Sequence, residues 1–162
     1  MPAHSEKKRL PHTPEQLFDL VADIDKYPEF LPWCAEANVH GRDGDVLTAD
    51  MVIGYKVFRE RFTSLVTLER PDRIEIALKE GPFRNLSTIW RFLPDGKDAC
   101  IVDFQVEFTF RNALMEMLIG AVFTQAVHRM VVSFEARADE IYGAAEIADS
   151  APYQPAPNPM TK

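Results

Sequence analysis

A chain of 162 residues, 46% apolar and 27% charged, has the length and composition of one globular domain with a sizeable core. Twenty-five acids against eighteen bases leave a net charge of −7, which disfavours affinity drawn from a phosphate backbone or an anionic leaflet, so no DNA partner is expected. Cys34 and Cys100 lack any paired-cysteine or Cys/His spacing, so neither a disulfide framework nor a metal site is indicated, and both read as buried thiols in a reducing cytoplasm.

Residues 4–10 read as a first strand that stops at Pro11. Thr13-Pro14-Glu15 then supplies an N-cap and a proline at the first helical position, so a short helix is expected over Pro14–Ala22. The stretch from Tyr27 to Cys34, YPEFLPWC, cannot be an ordinary helix interior, because Pro28 and Pro32 remove donors and fix φ. Its Phe30, Leu31 and Trp33 carry too much apolar surface for a solvated loop, which makes the stretch a buried segment or a lid over a cavity. Strands are expected over 37–39, 46–53, 57–68, 73–79, 86–93 and 99–110, separated by turn signals such as Arg70-Pro71-Asp72, Gly81-Pro82 and Pro94-Asp95-Gly96. Connections this short make hairpins, and hence an antiparallel sheet. In the last strand Val102, Phe104, Val106, Phe108 and Phe110 alternate with Asp103, Gln105, Glu107 and Thr109, so one face is buried and the other wet.

The segment 111–142 has no proline and one internal glycine, Gly120; as one helix it would run roughly 45 Å at about 1.5 Å per residue. Ile119, Phe123, Ala126, Val127, Met130, Phe134 and Ile141 form its expected buried stripe, with Gln125, Arg129, Ala136 and Asp139 on the far side. The fold expected is α+β: a curved seven-stranded antiparallel sheet wrapped around a long C-terminal helix, with short helices after the first strand. At the start of the long helix, Leu114 and Leu118 lie away from the stripe and need a cover of their own. The Phe30-Leu31-Trp33 loop is the cover expected within one chain; a partner or a membrane surface at a cavity mouth are the alternatives. The longest apolar run, Met117 to Phe123, falls well short of the roughly 18–20 residues of a bilayer span. The start MPAHSEKKRL has no apolar leader core, and residues 144–162, with Pro152, Pro155, Pro157 and Pro159, read as a disordered tail behind a domain of residues 1–143.

No GxSxG, GxxxxGK[ST], GxGxxG or HExxH motif occurs, so the expectation is a binding protein and not an enzyme, with no metal and no catalytic cofactor. Glu60, Glu80 and Glu107 read as solvated carboxylates, and Lys7-Lys8-Arg9 and Lys56, Arg59 and Arg61 as solvent-facing strand residues rather than basic patches. Of the four histidines only His128 lies on the long helix. It reads as structural or solvent-facing, with contact to a ligand carbonyl as the alternative.

YPEFLPWC after the first helix, Gly81-Pro82-Phe83 followed by Leu86 and Trp90, the Phe108-Thr109-Phe110 strand end and the 119–134 helix segment occur in an order that resembles one family. It is the family of coenzyme Q-binding START-like proteins and RatA-type ribosome-association toxins, within the helix-grip superfamily of polyketide cyclase-like domains. The resemblance spans roughly residues 4–142 and supplies no catalytic residues. It implies a hydrophobic cavity between sheet and helix for a polyprenyl quinone or similar lipid, in a cytoplasmic protein that supports respiratory electron transport as quinone carrier or chaperone, with peripheral contact at the inner face of the membrane. The expected ligand-binding residues are Phe30, Leu31, Trp33, Phe62, Phe83, Trp90, Phe104, Phe108, Ile119 and Phe123, with Leu114 and Leu118 as membrane or partner contacts. The alternative implied is binding to the large ribosomal subunit that blocks subunit association; a cyclase or dehydratase is third.

Overall fold

The computed structural model describes residues 3–55 and 58–143. The expected tail and Lys56 lie outside those residues.

Seven strands form a single sheet: β1 (Ala3–Leu10), β2 (Cys34–Asp43), β3 (Val46–Tyr55), β4 (Phe58–Glu69), β5 (Arg73–Glu80), β6 (Phe83–Pro94) and β7 (Cys100–Phe110). Their order is β1-β7-β6-β5-β4-β3-β2 and every neighbouring pair is antiparallel, so β2 to β7 form a meander and β1 returns to pair with the last strand. Turn chemistry enforces this. Gly44, at φ +62, begins the two-residue connection that pairs Asp43 with Val46. Gly81, at φ +154, sits where an added Cβ would meet the Phe62 Cβ at 2.6 Å, so only glycine lets the β5–β6 turn press onto β4.

Helix α1 (Pro14–Ala22) begins with the expected cap. The Thr13 hydroxyl accepts from the Gln16 amide and the Gln16 side chain accepts from the Thr13 amide, a reciprocal capping box. Its Leu17, Phe18, Leu20 and Val21 are buried against the sheet, and Arg70 at the β4–β5 turn grips Asp19 through two hydrogen bonds of 2.8 and 2.9 Å. The proline segment is not a plain loop. Its first part is a 3₁₀ helix (Ile24–Glu29) with Pro28 inside it, a turn geometry short enough to tolerate the missing donor.

The C-terminal helix is not one rod. It divides into α2 (Ala113–Gly120) and α3 (Phe123–Tyr142), whose axes are bent by 61°. Gly120 ends the first piece, and Val122, at φ −119 and ψ 0, breaks the helical path. The stripe therefore starts afresh at Phe123 and buries Phe123, Val127, Val131, Phe134 and Ala138 at spacings of four, four, three and four. Ile141, expected on that stripe, is exposed, and Asp139, expected on the far side, accepts a 2.8 Å hydrogen bond from the ring of buried His12. The end of α3 runs past the sheet edge to the β1–α1 corner, so its inner face there is set by His12 and not by the sheet. The core fills the concave side of the sheet beneath α1, the 3₁₀ helix and α3, with Phe92, Phe104, Ile24, Ile74 and Val66 fully enclosed.

Candidate ligand-binding cavity

The core is not filled throughout. Beneath α3 lie two connected compartments, of about 180 and about 210 Å³, which together reach the lower part of the roughly 300–1,000 Å³ found for small-molecule sites. The inner one is enclosed by Tyr27, Leu31 and Trp33 from the proline segment, by Met51, Ile76, Trp90 and Phe104 from the sheet, and by Val127 and Phe134 from α3. The outer one lies under the α2–α3 bend among Phe83, Phe108, Phe110, Ile119, Val122 and Phe123. Trp33, Ile53, Phe62, Leu86 and Met130 line both and form the neck between them. Ile53, Gly54, Ile119 and Val122 are half-buried, so the outer compartment reaches the surface between the bend and the end of β3.

The proline segment is a fixed wall. The Gly54 amide donates to the Trp33 carbonyl at 2.9 Å, the Trp33 indole N–H donates to the Ala126 carbonyl of α3 at 3.2 Å, and the Arg129 guanidinium lies 5.6 Å over the indole ring. The Tyr27 hydroxyl is committed to the Val21 carbonyl, and burial pushes its pKa up. Burial likewise pushes the Cys34 thiol up, to about 11, so it stays protonated at neutral pH, and it donates to the Glu36 carbonyl. Aromatic contacts stiffen the floor: Trp90 lies 4.4 Å from Phe104 and 5.0 Å from Phe134, Phe108 lies 4.7 Å from Phe123, and Phe62 lies 5.4 Å from Phe83.

Of the ten ligand-contacting residues expected from sequence, Leu31, Trp33, Phe62, Phe83, Trp90, Phe104, Phe108, Ile119 and Phe123 line one or both compartments. Phe30 does not. It packs edge-on against Phe134 at 5.2 Å and lies 5.1 Å under the Arg137 guanidinium, which also grips Glu29, so it helps clamp the 3₁₀ helix to α3 from outside the cavity. Sequence reasoning missed Met51, Ile53, Leu86, Thr88 and Met130. The strand residues among them fall on the inward parity of β3 and β6, which was the available signal. His128 is mostly exposed and leans toward Glu6 at 3.4 Å, away from both compartments. Hydrogen bonds from His4 and His128 outweigh the effect of burial on Glu6 and lower its pKa. Arg59 and Arg61 both pair with Glu36, and Lys8 and Arg9 pair with Glu135 and Asp95, so these four basic side chains each meet a carboxylate. Among the described residues no group of three or more His, Cys, Asp or Glu is placed to hold a metal ion.

The loop does not cover Leu114 and Leu118. Trp33 meets the first turn of α3 at Ala126 and Phe30 its middle at Phe134, both beyond α2, and Leu114, Met117 and Leu118 stand 59, 66 and 58% exposed. The only charged residue of α2, Glu116, turns inward and accepts from the Phe110 amide at 2.8 Å, which leaves the outer surface uncharged. Exposed Arg111 precedes it, anchored by its amide on the Pro82 carbonyl and by its Nε on the Phe83 carbonyl. No single helix is long and apolar enough to cross a membrane, although the bent α2–α3 pair meets that test by length and composition.

Comparison with known proteins agrees with this architecture. Residues 10–135 match the family described as polyketide cyclase/dehydrase and lipid transport. The chain is 35% identical over 144 residues to the ribosome association toxin RatA of Pseudomonas aeruginosa, covering 88% of this chain and all of that one. It is 34% identical over 148 residues to the mitochondrial coenzyme Q-binding protein COQ10 homolog B of Xenopus laevis, covering 89% of this chain and 61% of that one. Among solved structures, an 18 kDa protein of Caulobacter crescentus superimposes with a TM-score of 0.72 at 39% identity, covering 89% of this chain and all of that one. The Zhui aromatase/cyclase of a Streptomyces species shares the fold alone, with a TM-score of 0.77 at 12% identity over 89% and 99% of the two chains. The chain belongs to the polyketide cyclase/dehydrase and lipid-transport family of START-like proteins, in the branch shared by RatA-type toxins and coenzyme Q-binding proteins.

Proposed function

We propose that this protein is a non-enzymatic carrier or chaperone for a polyprenyl quinone, holding it in the two-compartment cavity and exchanging it with a membrane through the α2–α3 bend. The observation that carries the reading is the cavity wall: aromatic and aliphatic side chains around a neck, with almost every polar side-chain atom already hydrogen-bonded inside the protein. Such a wall has little to offer a charged or sugar-like ligand and much to offer a ring with an apolar tail. The likeness to a protein named for coenzyme Q binding narrows the lipid class. The apolar outer surface of α2 continues from the mouth of the outer compartment and follows directly on exposed Arg111, a composition suited to the lipid–water interface. Contact with the inner face of the cytoplasmic membrane and a role in respiratory electron transport follow from this reading. The test is extraction of lipids from the freshly purified protein and their identification by mass spectrometry. A stoichiometric quinone is expected, and a protein that copurifies with none and takes up none from quinone-loaded vesicles refutes the proposal.

A second reading is favoured by the names of relatives at 33–36% identity: a factor that binds the large ribosomal subunit and blocks subunit association. The net charge of −7 and the paired basic residues weigh against an RNA surface and leave a ribosomal-protein surface. Sedimentation of ribosomes with added protein decides it: a fall in assembled ribosomes at near-stoichiometric protein supports the second reading, and unchanged profiles dismiss it.

A further inference from the structure

The wall of the cavity holds one hydroxyl that the fold leaves unused. Thr88 lies in the middle of β6, opposite Ile76 on β5 and Val106 on β7, and with both neighbours it faces the inner compartment at 9% exposure. The other donors of the wall are committed, Tyr27 to Val21, the Trp33 indole to Ala126 and the Cys34 thiol to Glu36. The outer compartment adds no polar side chain beyond the shared Trp33. No side-chain hydrogen bond found among the described residues involves the Thr88 hydroxyl, and its oxygen is not one of the two sealed, unpartnered side-chain atoms, Thr109 Oγ1 and Arg137 Nε. Unlike the sealed Thr109 Oγ1, this hydroxyl opens on the compartment and is available to a bound molecule, and a water is a poor partner for it because a water needs two to four polar partners in a wall whose other donors are occupied.

We propose that Thr88 is the anchor that orients the ligand, donating its hydroxyl hydrogen to a carbonyl oxygen on the ligand's ring. This rests on the quinone-carrier reading and deepens it by fixing direction. The ring lies in the inner compartment among Trp90, Phe104 and Phe134, and the tail passes the neck at Phe62 and Met130 into the wholly apolar outer compartment and out under the bend. A headless hydrocarbon uses the same space without the anchor.

The protein reports on this directly, because its two tryptophans, Trp33 and Trp90, both line the inner compartment and a bound quinone quenches them. The probes are a dimethoxy-methyl-benzoquinone with a ten-carbon tail, read by tryptophan quenching, and diphenylhexatriene, a fluorescent hydrocarbon without polar atoms. Thr88→Val keeps the shape and removes the donor, and is expected to weaken quinone binding roughly three- to tenfold while leaving diphenylhexatriene unchanged. Thr88→Ser restores quinone binding. Equal quinone affinity in wild type and Thr88→Val overturns the inference, as does an equal loss for both probes, which would mark a packing defect. Wild type that binds diphenylhexatriene but not the quinone overturns it and the quinone reading while leaving an apolar-lipid site standing; wild type that binds neither overturns all three.

Discussion

Leu118→Glu separates the membrane-facing reading of α2 from a structural one. Leu114, Met117 and Leu118 retain roughly 60% of their surface in the folded chain. Fully burying such a side chain is worth about 1.5–3 kcal/mol, so sinking the exposed part into lipid is worth about 1–2 kcal/mol each, or about 3–5 kcal/mol for the three, a partition factor of order 10²–10⁴. Replacing Leu118 by a carboxylate removes about a third of that and adds a charge to the surface from which Glu116 is turned away, so vesicle binding should fall at least tenfold. Because Leu118 touches little of the core, the unfolding free energy should change by no more than about 0.5 kcal/mol. Tryptophan quenching by a quinone delivered from ethanol should be unchanged, since the cavity wall is intact. The assay is cosedimentation with neutral phosphatidylcholine vesicles, which avoids the repulsion of a chain at −7 by an anionic surface. Vesicle binding equal to wild type, or a fall in melting temperature of several degrees, would refute the assignment of this surface.

Three further outcomes are expected. Gly81→Ala forces a side chain into φ +154 and against the Phe62 Cβ, so it should lose about 1–3 kcal/mol of stability by denaturant titration and weaken quinone quenching through displacement of the neck residue Phe62; unchanged values for both would contradict the close approach. Quinone affinity should rise with each added isoprene unit until the outer compartment is full, at up to about 0.8 kcal/mol per buried methylene before tail ordering is subtracted, and tail-independent binding would contradict the two-compartment path. The Cys34 thiol is raised from 9.0 to about 11 because the fold favours the neutral form; its stabilising contribution is whole below about pH 9 and is lost as pH rises toward 11. Cys34→Ala should therefore lose less stability than wild type between pH 8.5 and 10.5 in urea midpoints, and parallel curves would refute that origin.

Much of the fold was legible because short-range chemistry determines it. The two-residue period of β7 survives in the structure with Val102, Phe104, Phe108 and Phe110 buried, and the Thr13-Pro14 start of α1 forms with its reciprocal cap. The break between α2 and α3 was not legible. One glycine is a weak signal in a segment otherwise free of breakers, and Val122 has no side-chain cap to announce a new helix. What holds the bend is tertiary contact at its two sides: Asn112 caps α2 and Glu116 ties it to the Phe110 amide at the end of β7, while Phe123 is buried against Phe108. The same geometry explains the misplaced loop. With α2 swung away, Trp33 meets α3 at Ala126, and Leu114 and Leu118 are left without a cover among the described residues.

The cavity was legible only in part, for a reason that applies to any apolar site. A Met51 that lines a void and a Leu47 that is buried in the core occupy the same face of β3 and obey the same alternation, so pattern identifies the inward face but not where the interior is left empty. Emptiness depends on volumes summed over six strands, a 3₁₀ helix, α2 and α3, and that sum is not written in any window of sequence. Polar exceptions carry more information. Thr88 is an ordinary strand residue by propensity, yet Leu86, Trp90 and Phe92 on its own face make a hydroxyl there a cost that packing does not require. A single polar group at an inward strand position is therefore a signal that needs the structure to read it: Ser64 on β4 bonds to the Ala49 carbonyl and belongs to the core, whereas Thr88 on β6 faces the compartment and is the residue proposed to orient the ligand.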